Sequence, residues 1–205
     1  LNTFFIGIDF SMAKPAATLV CPDKSLHFFA WPEKLTNVAK DRFNFLPTSE
    51  IIVKSREIGS VPSDLPNSLH VYTHIVRATS LAHEIVDDLN GAICSWLFNN
   101  GGIDQEHVVY AASEGLSFNS KGKSTLDLAT YKGIFLSVLV EMLRSSLASL
   151  YTYAPMTMKS VAGASKTAGS KDAMVQAFIA DLPEGVSAFR DALASGNMKK
   201  KGGES

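Results

Sequence analysis

Charge of either sign is scarce in this chain of 205 residues: 19 Lys and Arg, 20 Asp and Glu, and a formal net charge of −1. No global basic excess exists to wrap a polyanion, which excludes a uniformly basic nucleic-acid glove and leaves only a local basic face open. Cysteine is scarcer still. Cys21 and Cys94 stand in unrelated segments with no CxxC pair, which excludes a zinc site built on cysteine and suits reduced thiols in a cytosol-like compartment. Long uninterrupted apolar runs are missing too. The richest stretch, Gly133 to Tyr153, carries Glu141 and Arg144, whereas a bilayer span needs about 20 apolar residues in succession. No basic segment precedes an apolar run at the N-terminus, as a signal peptide requires. The expected location is therefore cytoplasmic, a host cytoplasm if the source is viral. The chain opens on Leu1 and stops after Lys199-Lys200-Lys201-Gly202-Gly203-Glu204-Ser205, so both ends are expected to be trimmed.

What is present is apolar: 46% hydrophobic residues and a mean hydropathy of +0.10, enough for a sizeable core in one domain. Phe4 to Phe10 is a short, nearly continuous apolar run, the pattern of a strand buried on both faces, broken by Asp9 near its end. Ala16 to Val20 and Leu26 to Trp31 are two more strand candidates, and the three together suit an antiparallel meander. Residues 32–68 hold four prolines and one strand-like run, Ile51 to Val53, and read as a loop-rich insertion or lid. Apolar residues then recur at helical spacing from Thr73 to about Phe98, stopped by Asn99-Asn100-Gly101-Gly102. His107 to Ala112 reads as a strand, Leu126 to Leu150 as a long helix and Tyr151 to Tyr153 as a short strand. A loop over Pro155 to Gly169 and helices over Ser170 to Ala180 and Val186 to Ala194 complete the chain. The order predicts an α/β fold, a meander of three strands plus two further strands, flanked by helices.

Two carboxylates stand out because each ends an apolar strand, Asp9 after FFIGI and Glu114 after VVYAAS. A carboxylate at the edge of a buried strand is costly unless compensated, and a hard divalent cation compensates it well. If the strands are neighbours, the pair suits two-metal phosphoryl chemistry, whose ions flank the scissile phosphate. The plain alternative is that Asp9 caps a turn before Ser11 and Glu114 is a solvated loop residue. Charge distribution bears on the choice. Between Leu116 and Lys171 seven basic residues (Lys121, Lys123, Lys132, Arg144, Lys159, Lys166, Lys171) face two acidic ones (Asp127, Glu141). Several lie in Gly/Ser loops, a composition suited to phosphate contacts, although an ordinary solvated surface also accounts for Lys121 and Lys123.

The run F-I-G-I-D-F-S at Phe5 to Ser11 resembles the first motif of RuvC-type Holliday-junction resolvases of the RNase H-like superfamily. A-S-E-G-L-S-F at Ala112 to Phe118, followed by Tyr131-Lys132-Gly133, is similar to the second. Tyr153 to Gly163 with Ala168 to Met174 resembles that family's Pro-x-x-x-Lys … Gly … Ser-Lys segment. The three motifs occur in family order over residues 4–178 and look closest to the phage and viral branch. The resemblance implies an RNase H-like mixed sheet and a Mg²⁺ (or Mn²⁺) dependent endonuclease acting on branched DNA as a homodimer. It implies that Asp9 and Glu114 are metal ligands and that Lys159 and Lys171 contact or polarise the phosphate. The helix Leu126 to Leu150 could supply the dimer contact. The family closes its metal site with an acidic pair three residues apart on a C-terminal helix. Here Asp191 matches one position, but Ala188 stands at the other. Either Asp191 alone closes the site as a metal-binding, catalytic residue, or the acidic pair lies beyond Ser205. Two other readings stay open: a nucleic-acid-binding relative without cleavage, and, because Asp9 with Ser11 also resembles a phosphate loop, an actin-like ATPase. His70 and His74 lack the Glu of an HExxH zinc motif and read as surface residues near a helix start.

Overall fold

The computed structural model describes residues 1–12, 14–33, 51–54, 66–115, 123–161, 176, 177 and 180. Six strands form one sheet: β1 (Asn2–Asp9), β2 (Ala16–Val20), β3 (Leu26–Ala30), β4 (Ile51–Val53), β5 (His107–Glu114) and β6 (Leu147–Tyr153). Three helices accompany them: α1 (Asn67–Asn99), α2 (Lys123–Leu143) and α3 (Pro155–Val161). The strand order is β4-β3-β2-β1-β5-β6. β1, β2 and β3 form the expected antiparallel meander, while β5 joins β1 and β6 joins β5 in parallel. The mixed α/β sheet read from the sequence is thus present, with one strand more. Ile51 to Val53 pairs in parallel with β3 at the sheet edge; the rest of the Pro-rich insertion lies outside the described residues, except 32, 33, 54 and 66–68.

One face of the sheet carries the core. Phe4, Ile6 and Ile8 of β1 share a buried cluster with Ala17, Leu19, Phe29, Val109 and Ala111, and with Leu81, Ile85, Leu89 and Ile93 of α1 and Phe135, Val138, Leu139 and Leu143 of α2. The pairing registers put those strand residues on one side, Ile6 between Leu19 and Ala111. Alternation of side chains along a strand sends the intervening residues the other way. Phe5 is 51% exposed, against the sequence expectation of a strand buried on both faces. Phe5 stacks on its register partner Tyr110 at 5.5 Å, and Tyr151 stacks on Tyr153 at 6.0 Å, so this second face is aromatic and open among the described residues.

Three element boundaries differ from the sequence reading. α1 begins two turns earlier than Thr73, because its first turns reach past the core: Leu69, Val71 and Tyr72 are exposed, and burial starts at Ala78. α2 stops at Leu143 rather than Leu150, and Leu147 to Leu150 belongs to β6. Ser146 ends the helix with its N–H donating to Leu143 O at 2.9 Å, while its own carbonyl accepts from Val109 N at 2.8 Å and opens the β5–β6 ladder. The apolar face of α2 is buried in its own core, leaving Val140 as the exposed large apolar side chain among those described there. Pro155 to Val161, read as loop, is the helix α3. The segments read as helices over 170–180 and 186–194 lie outside the described residues, save 176, 177 and 180. No helix among the described residues is long and apolar enough to cross a membrane. Both cysteines are free thiols, Cys21 buried and Cys94 exposed, and burial pushes the Cys21 thiol up to about 11.

Candidate active site

Register brings the two carboxylates together. Ile8 of β1 lies opposite Ser113 of β5 in the parallel ladder, so Asp9 and Glu114, one step further on, end adjacent strands side by side. Neighbouring strands are about 4.8 Å apart, and same-face residues of two parallel strands stand at that spacing. Asp9 follows the open side of β1 and is exposed; Glu114 is half-buried. Both stand at the carboxyl edge of the parallel half of the sheet, the edge at which open α/β sheets present their ligand sites.

The backbone around them is fitted to this placement. Gly115 donates its N–H to Tyr153 O at 2.6 Å, and a Cβ on Gly115 would lie 3.0 Å from that oxygen and 3.3 Å from Thr152 Cγ2. The chain leaving Glu114 therefore runs tight against the end of β6. After β1, the turn is capped by Ser11, whose Oγ accepts from Lys14 N at 3.0 Å. The hydroxyl of Ser11, rather than the carboxylate of Asp9, does the capping that the plain alternative assigned to Asp9.

Behind the pair stands a residue that the sequence reading named among the basic residues and in the second motif but gave no role at the carboxylates. Lys132 of α2 is only 7% exposed. Burial pushes its ammonium below the ordinary lysine range, while the charges of Glu114 and then Asp9 act in the opposite direction. Its neighbour Tyr131 packs against the core and lies under the His74 ring, 6.1 Å between centroids. The signal was present in the spacing. Lys132, Phe135, Leu139 and Leu143 recur at i, i+3, i+7 and i+11, so the lysine occupies the stripe that faces the core.

The other expected site residues are placed less fully. Lys159 belongs to α3, which follows β6 at the same carboxyl edge as Asp9 and Glu114; its side chain lies outside the description. Lys171 and Asp191 lie outside the described residues altogether. Among the described residues no group of three or more His, Cys, Asp or Glu is arranged to hold a metal ion. Two adjacent carboxylates are nevertheless a donor set that fits Mg²⁺, a hard cation usually held by one or two carboxylates with water and substrate oxygens completing its octahedron.

The fold and site together define an α/β protein with a mixed sheet and paired carboxylates at its carboxyl edge. Among solved structures, the chain is similar to RuvC of Thermus thermophilus (17% identity, 93% of this chain and 89% of that one, TM-score 0.34). It is also similar to T. thermophilus RuvC in complex with Holliday junction substrate (15% identity, 94% and 88% covered, TM-score 0.34). The yeast mitochondrial Holliday junction resolvase Ydc2 is a third such structure (12% identity, 95% and 77% covered, TM-score 0.39). No family model and no curated protein matches the sequence.

Proposed function

We propose that the protein is a divalent-metal-dependent endonuclease that cleaves branched DNA, with Asp9 and Glu114 as the ligands of its metal centre. The observation that carries this reading is the register of β1 on β5, which sets two strand-ending carboxylates next to each other at an open sheet edge. Three sequence features agree with it: the ordered motifs resembling RuvC-type resolvases, the excess of basic residues between Leu116 and Lys171, and the Gly/Ser loops that hold several of them. The branch of the family that the motifs look closest to, phage and viral, belongs to the same proposal.

In this reading Asp9 and Glu114 hold Mg²⁺ or Mn²⁺, with Asp191 as a third ligand if it reaches the site. The bound ion would supply Lewis-acid stabilisation of the phosphoryl oxygens and a more acidic water. Lys159 and Lys171 offset negative charge as it grows on the phosphate being cut. Gly115 fixes the path of the chain leaving Glu114 by tying it to the end of β6. Two symmetric cuts in a four-way junction need two such sites, hence a homodimer with isologous contacts.

A second reading is favoured by the two-carboxylate donor set among the described residues: a relative that binds nucleic acid and does not cut it. A labelled synthetic four-way junction distinguishes them. Mg²⁺-dependent nicking by the wild type, lost in Asp9→Asn and in Glu114→Gln while junction binding persists, supports the nuclease. Binding without nicking in Mg²⁺ and in Mn²⁺, by the full-length protein, selects the second reading.

A further inference from the structure

The buried polar or charged residues among those described are Ser113, 1% exposed, and Lys132, 7% exposed. Ser113 immediately precedes Glu114 on β5. Lys132 comes from α2, and one turn further along that helix Phe135 stacks on Phe10, 4.7 Å between centroids and 17° between planes. Phe10 immediately follows Asp9. The Phe10–Phe135 stack therefore fastens α2 across the end of β1 at the level where Lys132 points inward. Tyr131 and Leu136, on either side of this stretch, are packed against the same cluster. Lys132 is held in place by its neighbours rather than left as a long side chain free to reach water.

An ammonium removed from water is costly unless opposite charge compensates it. The carboxylates whose charge reaches Lys132 are Glu114 and Asp9, the same two that end the strands. Conversely, two carboxylates at the spacing of adjacent strands repel one another when no cation is bound. A fixed positive charge behind them relieves that repulsion. It also repels any divalent cation entering in front, because Lys132 and the cation are like charges sharing one pair of counter-ions.

We propose that Lys132 is the internal counter-cation of the Asp9–Glu114 pair, keeping the two carboxylates together before a divalent ion arrives and weakening their hold on that ion once it is bound. This rests on the reading of the pair as a cation site. Lys132 acts through the carboxylates and is a positioning residue: a centre so moderated exchanges its ion readily instead of trapping it.

The test is calorimetric titration of MnCl₂ into the full chain, for wild type, Lys132→Met, Lys132→Gln and Lys132→Arg, with the melting temperature of each followed with and without Mn²⁺. Removing the charge in Met or Gln is expected to tighten Mn²⁺ binding about tenfold and to enlarge the Mn²⁺-induced rise in melting temperature. Arg, which keeps the charge, is expected to bind Mn²⁺ as the wild type does. The proposal is overturned if the Met and Gln variants bind Mn²⁺ no more tightly than wild type, or if Arg tightens binding as much as Met, which would make the effect one of packing. Should the Met variant fail to fold, Gln against Arg makes the same comparison. Asp9→Asn and Glu114→Gln separate the two failures. If they abolish Mn²⁺ binding and the Lys132 variants leave it unchanged, only the role of Lys132 falls; if they too leave it unchanged, the cation site falls with it.

Discussion

Trp31 shows how one side chain joins distant parts of this fold. It is 1% exposed, stacks on Phe29 at 5.6 Å, and donates its indole N–H to Asp88 Oδ2 on α1 at 2.8 Å. Asp88 also pairs with Lys54, which follows β4. Trp31→Phe keeps most of the ring and removes the donor, so a loss of about 1–2 kcal/mol in chemical denaturation is expected. Asp23 is the residue-scale pH probe. The Ser25 hydroxyl and N–H donate to its carboxylate at 2.7 and 3.0 Å and hold it below the usual aspartate range. A carboxylate depressed in the folded state adds stability above its unfolded value that is lost as pH falls through the folded one. An NMR titration should place Asp23 below 3.8 in the wild type, and Ser25→Ala should move it back up. At the same scale, Asp9 and Glu114 were legible in the sequence because a carboxylate that ends an apolar run is conspicuous. Lys132 was counted only among the basic residues and in the second motif, although its spacing with Phe135, Leu139 and Leu143 already puts it on the core-facing stripe.

Among the elements, α1 ends where the sequence said it would, and the reason is geometric. Asn100 N and Gly102 N both donate to Leu97 O, at 3.1 and 2.9 Å, and Gly101 and Gly102 take φ of 127° and 115°. These are conformations that residues with a Cβ rarely adopt. Gly102 has open space around its Cα, so Gly102→Ala isolates the backbone strain; a loss of about 1 kcal/mol or more in unfolding free energy is expected. Strands β1, β2, β3 and β5 were readable from apolar runs punctuated by Pro, Asp and Gly. The α2–β6 boundary was not, because Leu147-Ala148-Ser149-Leu150 is apolar enough to continue a helix or to begin a strand. Periodicity over four residues does not choose; the backbone bonds of Ser146 do. β4 was noticed as a strand-like run but not placed in the sheet, for a related reason. Three residues amid prolines have no period of their own, and only the exposed edge of β3 makes them a strand.

At the scale of the molecule, the parallel neighbours β1, β5 and β6 send their carboxyl ends to one edge, and the candidate chemistry collects there. Helices α1 and α2 lie on the other side of the sheet from Phe5, Tyr110, Tyr151 and Tyr153, so among the described residues the core supports the site from behind without covering it. The apolar face of α2 that meets the sheet is used within the chain's own core. Val140→Glu on α2 is expected to leave the sedimentation coefficient unchanged, whatever number of copies the wild type assembles. The central claim is that Asp9 and Glu114 work as one unit at one metal centre. Its most direct measurement is the rate of four-way-junction cleavage in saturating Mg²⁺ for Asp9→Asn, Glu114→Gln and the double variant. Groups that act as a unit are strongly non-additive: each single change should cost about 100-fold or more, and the double no more than the worse single. A single variant that cuts at the wild-type rate, or a double variant whose loss is the product of the two singles, would contradict it.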